Sequence, residues 1–164
     1  MKNYNSFKTD GEKLFCIVYD GIAILSAYKA ASEKVKFEAI LFNSLIALQE
    51  YQYFKPLKYE DTLTDFVKIL FQYSNKLNLN LTPKEFTYLM NSRFQIYFEE
   101  LNNFINSEQN TFLMLETYTR IYISPLEENP EISDNLFEYV QFFEALIQMR
   151  KFVIENVKII NNGY

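Results

Sequence analysis

Projected at about 100° per residue, positions 12–31 (EKLFCIVYDGIAILSAYKAA) present almost no polar face. Leu14, Ile17, Ile24 and Tyr28 share one side, while Phe15, Val18, Ile22 and Leu25 spread over the other. Cys16, Ala23, Ala27 and Ala31 form a third strip of small residues. A helix that is apolar all round has to be surrounded by protein or lipid. Lipid does not fit, because the apolar run Leu14–Ala27 falls short of the roughly 20 residues a span needs and holds Asp20. The pattern therefore predicts a buried N-terminal helix over 12–31 at the centre of a bundle, and no membrane association.

Further helices come from the same spacing. Ser32-Glu33-Lys34 reads as a break with an N-cap, although one long helix through to Phe54 satisfies the pattern equally. The second helix carries Phe37, Ile40, Leu41, Leu48 and Tyr51 on one side and Phe42, Ile46 and Tyr53 on another, and Pro56 closes it. A third begins near Asp61 or Thr62 and buries Leu63, Phe66, Val67, Leu70, Phe71 and Leu77; Asn75, Asn78 and Asn80 end it. Thr82-Pro83-Lys84-Glu85 has the form of a capping box with proline in the first turn, so a fourth helix starts there. A fifth spans about 110–123, with Met114, Leu115, Tyr118, Ile121 and Tyr122 inward. Two prolines make 124–133 a loop, and a last helix runs from Ser133 or Asp134 to about Ile160. No stretch alternates with period two. The expectation is an all-α, single-domain bundle of about six helices spanning 1–164, with 1–10 loosely held.

Composition sharpens this. Only three Gly and four Pro in 164 residues argue for long elements and few turns, and an 18% aromatic content fills the core with Phe and Tyr. The net charge of −5, with Lys and Arg scattered, disfavours a phosphate backbone as partner, so no nucleic acid is expected. Cys16 has no cysteine to pair with and reads as a small buried hydrophobe. Asp20 interrupts the early apolar run and Tyr28-Lys29-Ala30 is a poor cleavage site, so the expected location is a reducing cytoplasm.

The chain contains no histidine. That removes the commonest general base, and with a single Cys it excludes zinc sites of the usual kind. Di-iron sites built on Glu-x-x-His and Ser-His or Cys-His nucleophilic pairs go as well. Carboxylate chemistry with a divalent metal remains, but Glu99-Glu100, Glu116 and Glu127-Glu128 lack the repeated one-turn spacing of acids that it needs. No glycine-rich phosphate loop exists. The expectation is no enzyme, no metal and no cofactor.

Two charges stand out. Leu136, Tyr139, Val140, Phe143, Leu146, Ile147, Val153, Ile154 and Val157 define an apolar arc on the last helix, with Arg150 near its middle. Asp20 sits inside the first helix among Ile17, Ile24 and Ala27. A buried charge needs a partner, so Asp20 and Arg150 are read as a buried ion pair or as charges lining a cavity. Arg93, at the edge of an apolar arc, and Arg120, one turn after Glu116 on an exposed side, read as ordinary. Candidate contact residues form two groups: aromatics around Pro56 (Tyr51, Tyr53, Phe54, Tyr59), and the acids Glu127, Glu128, Glu131, Asp134 and Glu138. The leading functional reading is a small acidic protein-binding module of the immunity-protein, antitoxin or inhibitor kind, from a bacterium, phage or mobile element. Its partner would be another protein, favoured to be basic, and a homo-oligomer is compatible. The alternative is a helical ligand-binding or sensor domain with an aromatic-lined cavity; a carboxylate and magnesium enzyme comes third.

Overall fold

The computed structural model describes residues 4–28, 32–106, 115–128 and 136–162. A short 3-10 turn at Tyr4–Ser6 precedes α1 (Asp10–Tyr28) and α2 (Glu33–Phe54). A second 3-10 turn, Pro56–Lys58, leads into α3 (Tyr59–Lys76) and α4 (Pro83–Asn106). Then come α5 (Leu115–Tyr118), continued by a π-helical stretch Thr119–Ile123, and α6 (Leu136–Asn162). The described residues contain no strand. The chain is an all-α bundle, as its periodicity predicts, and among the described residues no helix is long and apolar enough to cross a membrane.

The predicted helix starts are made by side chains. Ser32 accepts from the Val35 N–H and caps α2. Thr82 accepts from the Glu85 N–H at 3.3 Å while Glu85 accepts from the Thr82 N–H at 2.8 Å, the reciprocal pair of a capping box. Beyond α3, Asn78 and Asn80 take left-handed backbone with φ of 55° and 51°, which asparagine tolerates better than most residues. The start expected for the fifth helix, 110–114, lies outside the described residues.

The helix buried from all sides is α2; in the expected 12–31 helix, Tyr19 and Ala23 are exposed, while residues 29–31 and the side chains of 25–28 lie outside the described residues. Every residue from Phe37 to Leu48 is buried, and α1, α3, α4, α6 and the π-helical stretch all pack on α2. α1 buries Leu14, Ile17, Val18 and Ile22 but leaves Tyr19 half exposed. Phe15 and Tyr19 meet Tyr73 of α3 edge-on, with centroids 5.4 and 5.8 Å apart, at the rim of the core. A ring with one side in water carries the same apolar signal as a ring in the interior, which is why the pattern over-reads α1.

Where α1 crosses α2 and α6, Gly21 is in close contact. A Cβ there would lie 3.1 Å from Asn43 Nδ2 and 3.3 Å from Val153 Cγ2. Asn43, buried on α2, donates to the Val18 carbonyl at 3.4 Å.

α6 is rotated relative to the predicted arc. Its buried positions are Tyr139, Phe142, Phe143, Ala145, Leu146, Met149, Val153, Asn156, Val157 and Ile160, whereas Val140 and Ile147 are exposed. The predicted arc counts those two as core and omits Phe142, Ala145, Met149, Asn156 and Ile160, and this is what puts Arg150 at its middle instead of towards its edge.

Candidate functional site

Glu38 lies in the second turn of α2, and Arg93 lies midway along α4. Packing of α4 on α2 brings Arg93 Nε to 2.8 Å from Glu38 Oε1. Tyr97, one turn further along α4, donates its hydroxyl to the same oxygen. The Leu126 N–H donates to Oε2 at 2.8 Å. Arg93 is only 2% exposed and Glu38 is fully buried. Desolvating such a pair is tolerable only where further hydrogen bonds satisfy the remaining polar surface, and both carboxylate oxygens are satisfied here. Burial and the Glu38 charge push the Tyr97 phenol well above its usual range, so it stays a donor.

The same network holds the loop after the π-helical stretch. Arg93 Nη2 donates to the Glu127 carbonyl at 2.6 Å, and Arg120 Nη1 donates to the carbonyls of Glu127 and Glu128 at 3.4 and 3.1 Å. Arg120 also forks onto Glu116 through Nε and Nη2 at 3.2 and 2.9 Å. Leu126 takes φ of 69°, a conformation costing a non-glycine residue about 1–2 kcal/mol, offset by the bond its N–H makes to Glu38. Arg120 is buried, contrary to its predicted exposure, although its pairing with Glu116 is as expected. It sits in the π-helical stretch, whose wider i→i+5 turn puts a wheel drawn at 100° per residue out of phase. Sequence reasoning misses Glu38 altogether, although a signal is present. Glu38 is the one charged residue between Lys36 and Glu50 on a helix with no polar face.

Glu100, further along α4, accepts from the Glu116 N–H at 3.0 Å and from the Thr117 hydroxyl. Burial pushes its carboxyl up to about 7. The folded chain therefore keeps a proton that the unfolded chain releases near pH 4.5. Stability is greatest below that pH and falls as pH rises towards 7, by about 3 kcal/mol for a shift of this size. Glu100→Gln has no proton to lose, so urea unfolding at pH 5 and pH 8 should differ less in the variant than in the parent. An unchanged difference would assign the pH dependence elsewhere.

Over the outer side of Arg93 lies a groove of about 480 Å³, between the first half of α4 and the 126–128 loop. Leu81, Tyr88, Leu89 and Leu126 form its apolar walls. Among the described residues no three His, Cys, Asp or Glu side chains gather as a metal site would need.

The expected pair does not form. Asp20, half-buried on α1, accepts from the Tyr4 hydroxyl at 2.9 Å. Arg150 lines a narrow cleft of about 80 Å³ with Phe42, Phe104 and Phe143, and no ion pair joins it to Asp20. Of the acidic group, Glu127 and Glu128 have exposed side chains, and it is their backbone carbonyls that the arginines hold. Glu131 and Asp134 lie outside the described residues, as does the side chain of Glu138.

The aromatic group splits. Tyr51 is fully buried, which removes it as a contact residue: its hydroxyl donates to Asp10 Oδ2 at 2.6 Å and accepts from Thr62 at 3.2 Å. Tyr59 is half-buried against the core. Tyr53 and Phe54 are 81% and 37% exposed, meeting edge-to-face at 5.1 Å. Leu57, absent from the predicted group, is completely exposed beside Pro56. This corner has a fixed base. Lys55 lies over the Tyr51 ring and 3.5 Å from Asp10 Oδ2. Burial alone would raise the Asp10 carboxyl, but hydrogen bonds from Lys13 and Tyr51 and the Lys55 charge hold it at about 2. Tyr53 and Glu38, which anchors the loop, are fifteen residues apart on α2, about 22 Å along its axis. The aromatic corner and the loop at Glu127 and Glu128 therefore do not form one surface. No protein-family model, no curated protein and no solved structure matches this chain.

Proposed function

We propose that the chain is a small acidic, non-enzymatic protein-binding module of the immunity-protein, antitoxin or inhibitor kind, acting in the cytoplasm of a bacterium or of a phage or mobile element within one. The observation carrying this reading is the corner formed by Tyr53, Phe54 and Leu57. Three large apolar side chains within five positions, two of them in ring contact, are held in water, and such grouping favours an interaction site over scattered surface apolarity. Exposed aromatics concentrate binding energy. The base of buried Tyr51 with half-buried Asp10 and Lys55 beneath them lowers the ordering cost of association. The absence of histidine supports the non-enzymatic part, and the charge of −5 favours a basic partner by steering encounter.

A photocrosslinking amino acid at position 53, introduced in cells of the organism that encodes the chain, tests this. One discrete protein adduct is expected, lost on Leu57→Asp and absent when the crosslinker replaces the exposed Lys68 on α3. Tyr53→Ala and Leu57→Asp should meanwhile change folding stability by no more than about 0.5 kcal/mol. No adduct, or equal adducts from positions 53 and 68, would overturn the reading; an adduct of twice the chain's mass would make the partner a second copy.

A further inference from the structure

The groove over Arg93 has chemistry of its own, at the other end of α2 from the aromatic corner, and its ligand is a separate matter from the protein-binding reading. The Arg93 guanidinium is all but buried, yet it borders the groove. Nε is committed to Glu38 and Nη2 to the Glu127 carbonyl; Nη1 meets no acceptor among the described residues. It is not among the buried polar atoms left without a partner, so it opens to the water of the groove, and a carboxylate brought there replaces that water with a charge-assisted bond. We propose that this groove binds a small apolar molecule ending in a single carboxylate, its acid group on Arg93 Nη1 and its body between Leu81, Tyr88, Leu89 and Leu126.

Three features fit that class. The guanidinium is fixed by Glu38 on one edge and by the loop carbonyl on another while it borders the groove, so little side-chain freedom is lost on binding. Hydrogen bonds between guanidinium and carboxylate are charge-assisted and roughly twice as strong as neutral ones. The volume, about 480 Å³ with apolar walls, is that of a small-molecule site. The rim sets the charge limit. Lys84 adds one positive charge, whereas Glu85 and Glu128 add two negative ones. Glu85 is turned back on its cap, accepting from the Thr82 N–H and hydroxyl at 2.8 and 2.7 Å. The rim is therefore net negative by one and Arg93 already faces Glu38, so the acid group depends on the directed bond from Nη1 and on Lys84, and each further negative charge, as on a phosphate, is disfavoured.

Titration of the isotope-labelled full chain with phenylbutanoate, phenylbutanamide and inorganic phosphate, followed by proton–nitrogen correlation NMR, decides it. The acid should shift the Arg93 side-chain signal and the Ser92 and Leu126 amides saturably, with weaker binding as salt is raised. The amide and phosphate should each bind at least tenfold more weakly. Ser92→Tyr, which puts a ring into the groove and leaves both Arg93 and Glu38 in the chain, should weaken the acid at least tenfold. Tyr88→Ala, at a position 67% exposed and safe for folding, should weaken it about threefold. Leu57→Asp should leave it unchanged, so failure here is separable from failure of the protein-binding reading. Equal binding of acid and amide, phosphate binding as tight as the acid, shifts confined to another face, an unaltered Ser92→Tyr, or no shift at the solubility limit would each overturn the proposal.

Discussion

Arg93→Met lowers folding stability by about 3–5 kcal/mol, measured by urea denaturation. The loss is large for its cause: Glu38 keeps its charge and its buried position while losing the cation 2.8 Å away. What remains around it, the Tyr97 hydroxyl and the Leu126 N–H, are neutral donors. Glu38→Leu should cost a comparable amount, because Arg93 is then stranded and the Leu126 N–H has no acceptor. The double variant should lose clearly less than the sum, since neither charge is left alone in the core. Strictly additive losses would mean that the two side chains do not depend on each other. The loop supplies a second readout: hydrogen exchange at the Leu126 amide should accelerate in Glu38→Leu while amides in the middle of α2 keep their relative order.

Phe142→Ala has an expected cost of similar size, about 3–5 kcal/mol, for a different reason. The side chain is fully buried, with ring centroids 5.2 Å from Tyr118 and 5.5 Å from Tyr122. Tyr118 also meets Tyr139 at 5.8 Å. Removing Phe142 opens a void at the centre of the cluster that ties α5 and the π-helical stretch to α6, and rings cannot relax into it as flexible aliphatic chains can. A loss below about 1 kcal/mol would mean that α6 presents another face to the core. Tyr53→Ala, also an aromatic truncation, gives the contrast, since its ring is mostly in water.

Arg93 and Phe142 show what the sequence conveys and what it does not. The helices and their caps are legible because each is decided within one or two turns, as at Ser32 and Thr82. The rotation of α6 is not, because Val140 and Ile147 are as apolar as the residues that reach the core, and hydropathy does not record which side is covered. The same blindness places Arg150 at the centre of a buried face and leaves Phe142 outside it. Half of the aromatic corner is legible: Tyr53 and Phe54 project, whereas Tyr51 turns inward to Asp10, forty-one positions away. The ion pair beneath the groove is the least legible feature. Glu38 and Arg93 are separated by fifty-five positions, and a single sequence does not say which charges in a bundle will find each other.

The contact at Gly21 governs something other than stability. α1 and α2 are both so apolar that sliding one along the other by a turn would strand few polar groups, and many near-equal packings would compete. A one-turn slide brings Ile17 or Leu25 to the crossing, where even a methyl group would press within 3.3 Å of Val153 and 3.1 Å of the Asn43 amide. The Asn43 bond does not resist such a slide, since its acceptor is backbone and the next turn offers another carbonyl in its place. The glycine alone thus acts as a register mark on an otherwise greasy seam. It makes the correct alignment of the helices the one with the fewest penalties, and this helps a chain rich in interchangeable side chains to keep a single native arrangement.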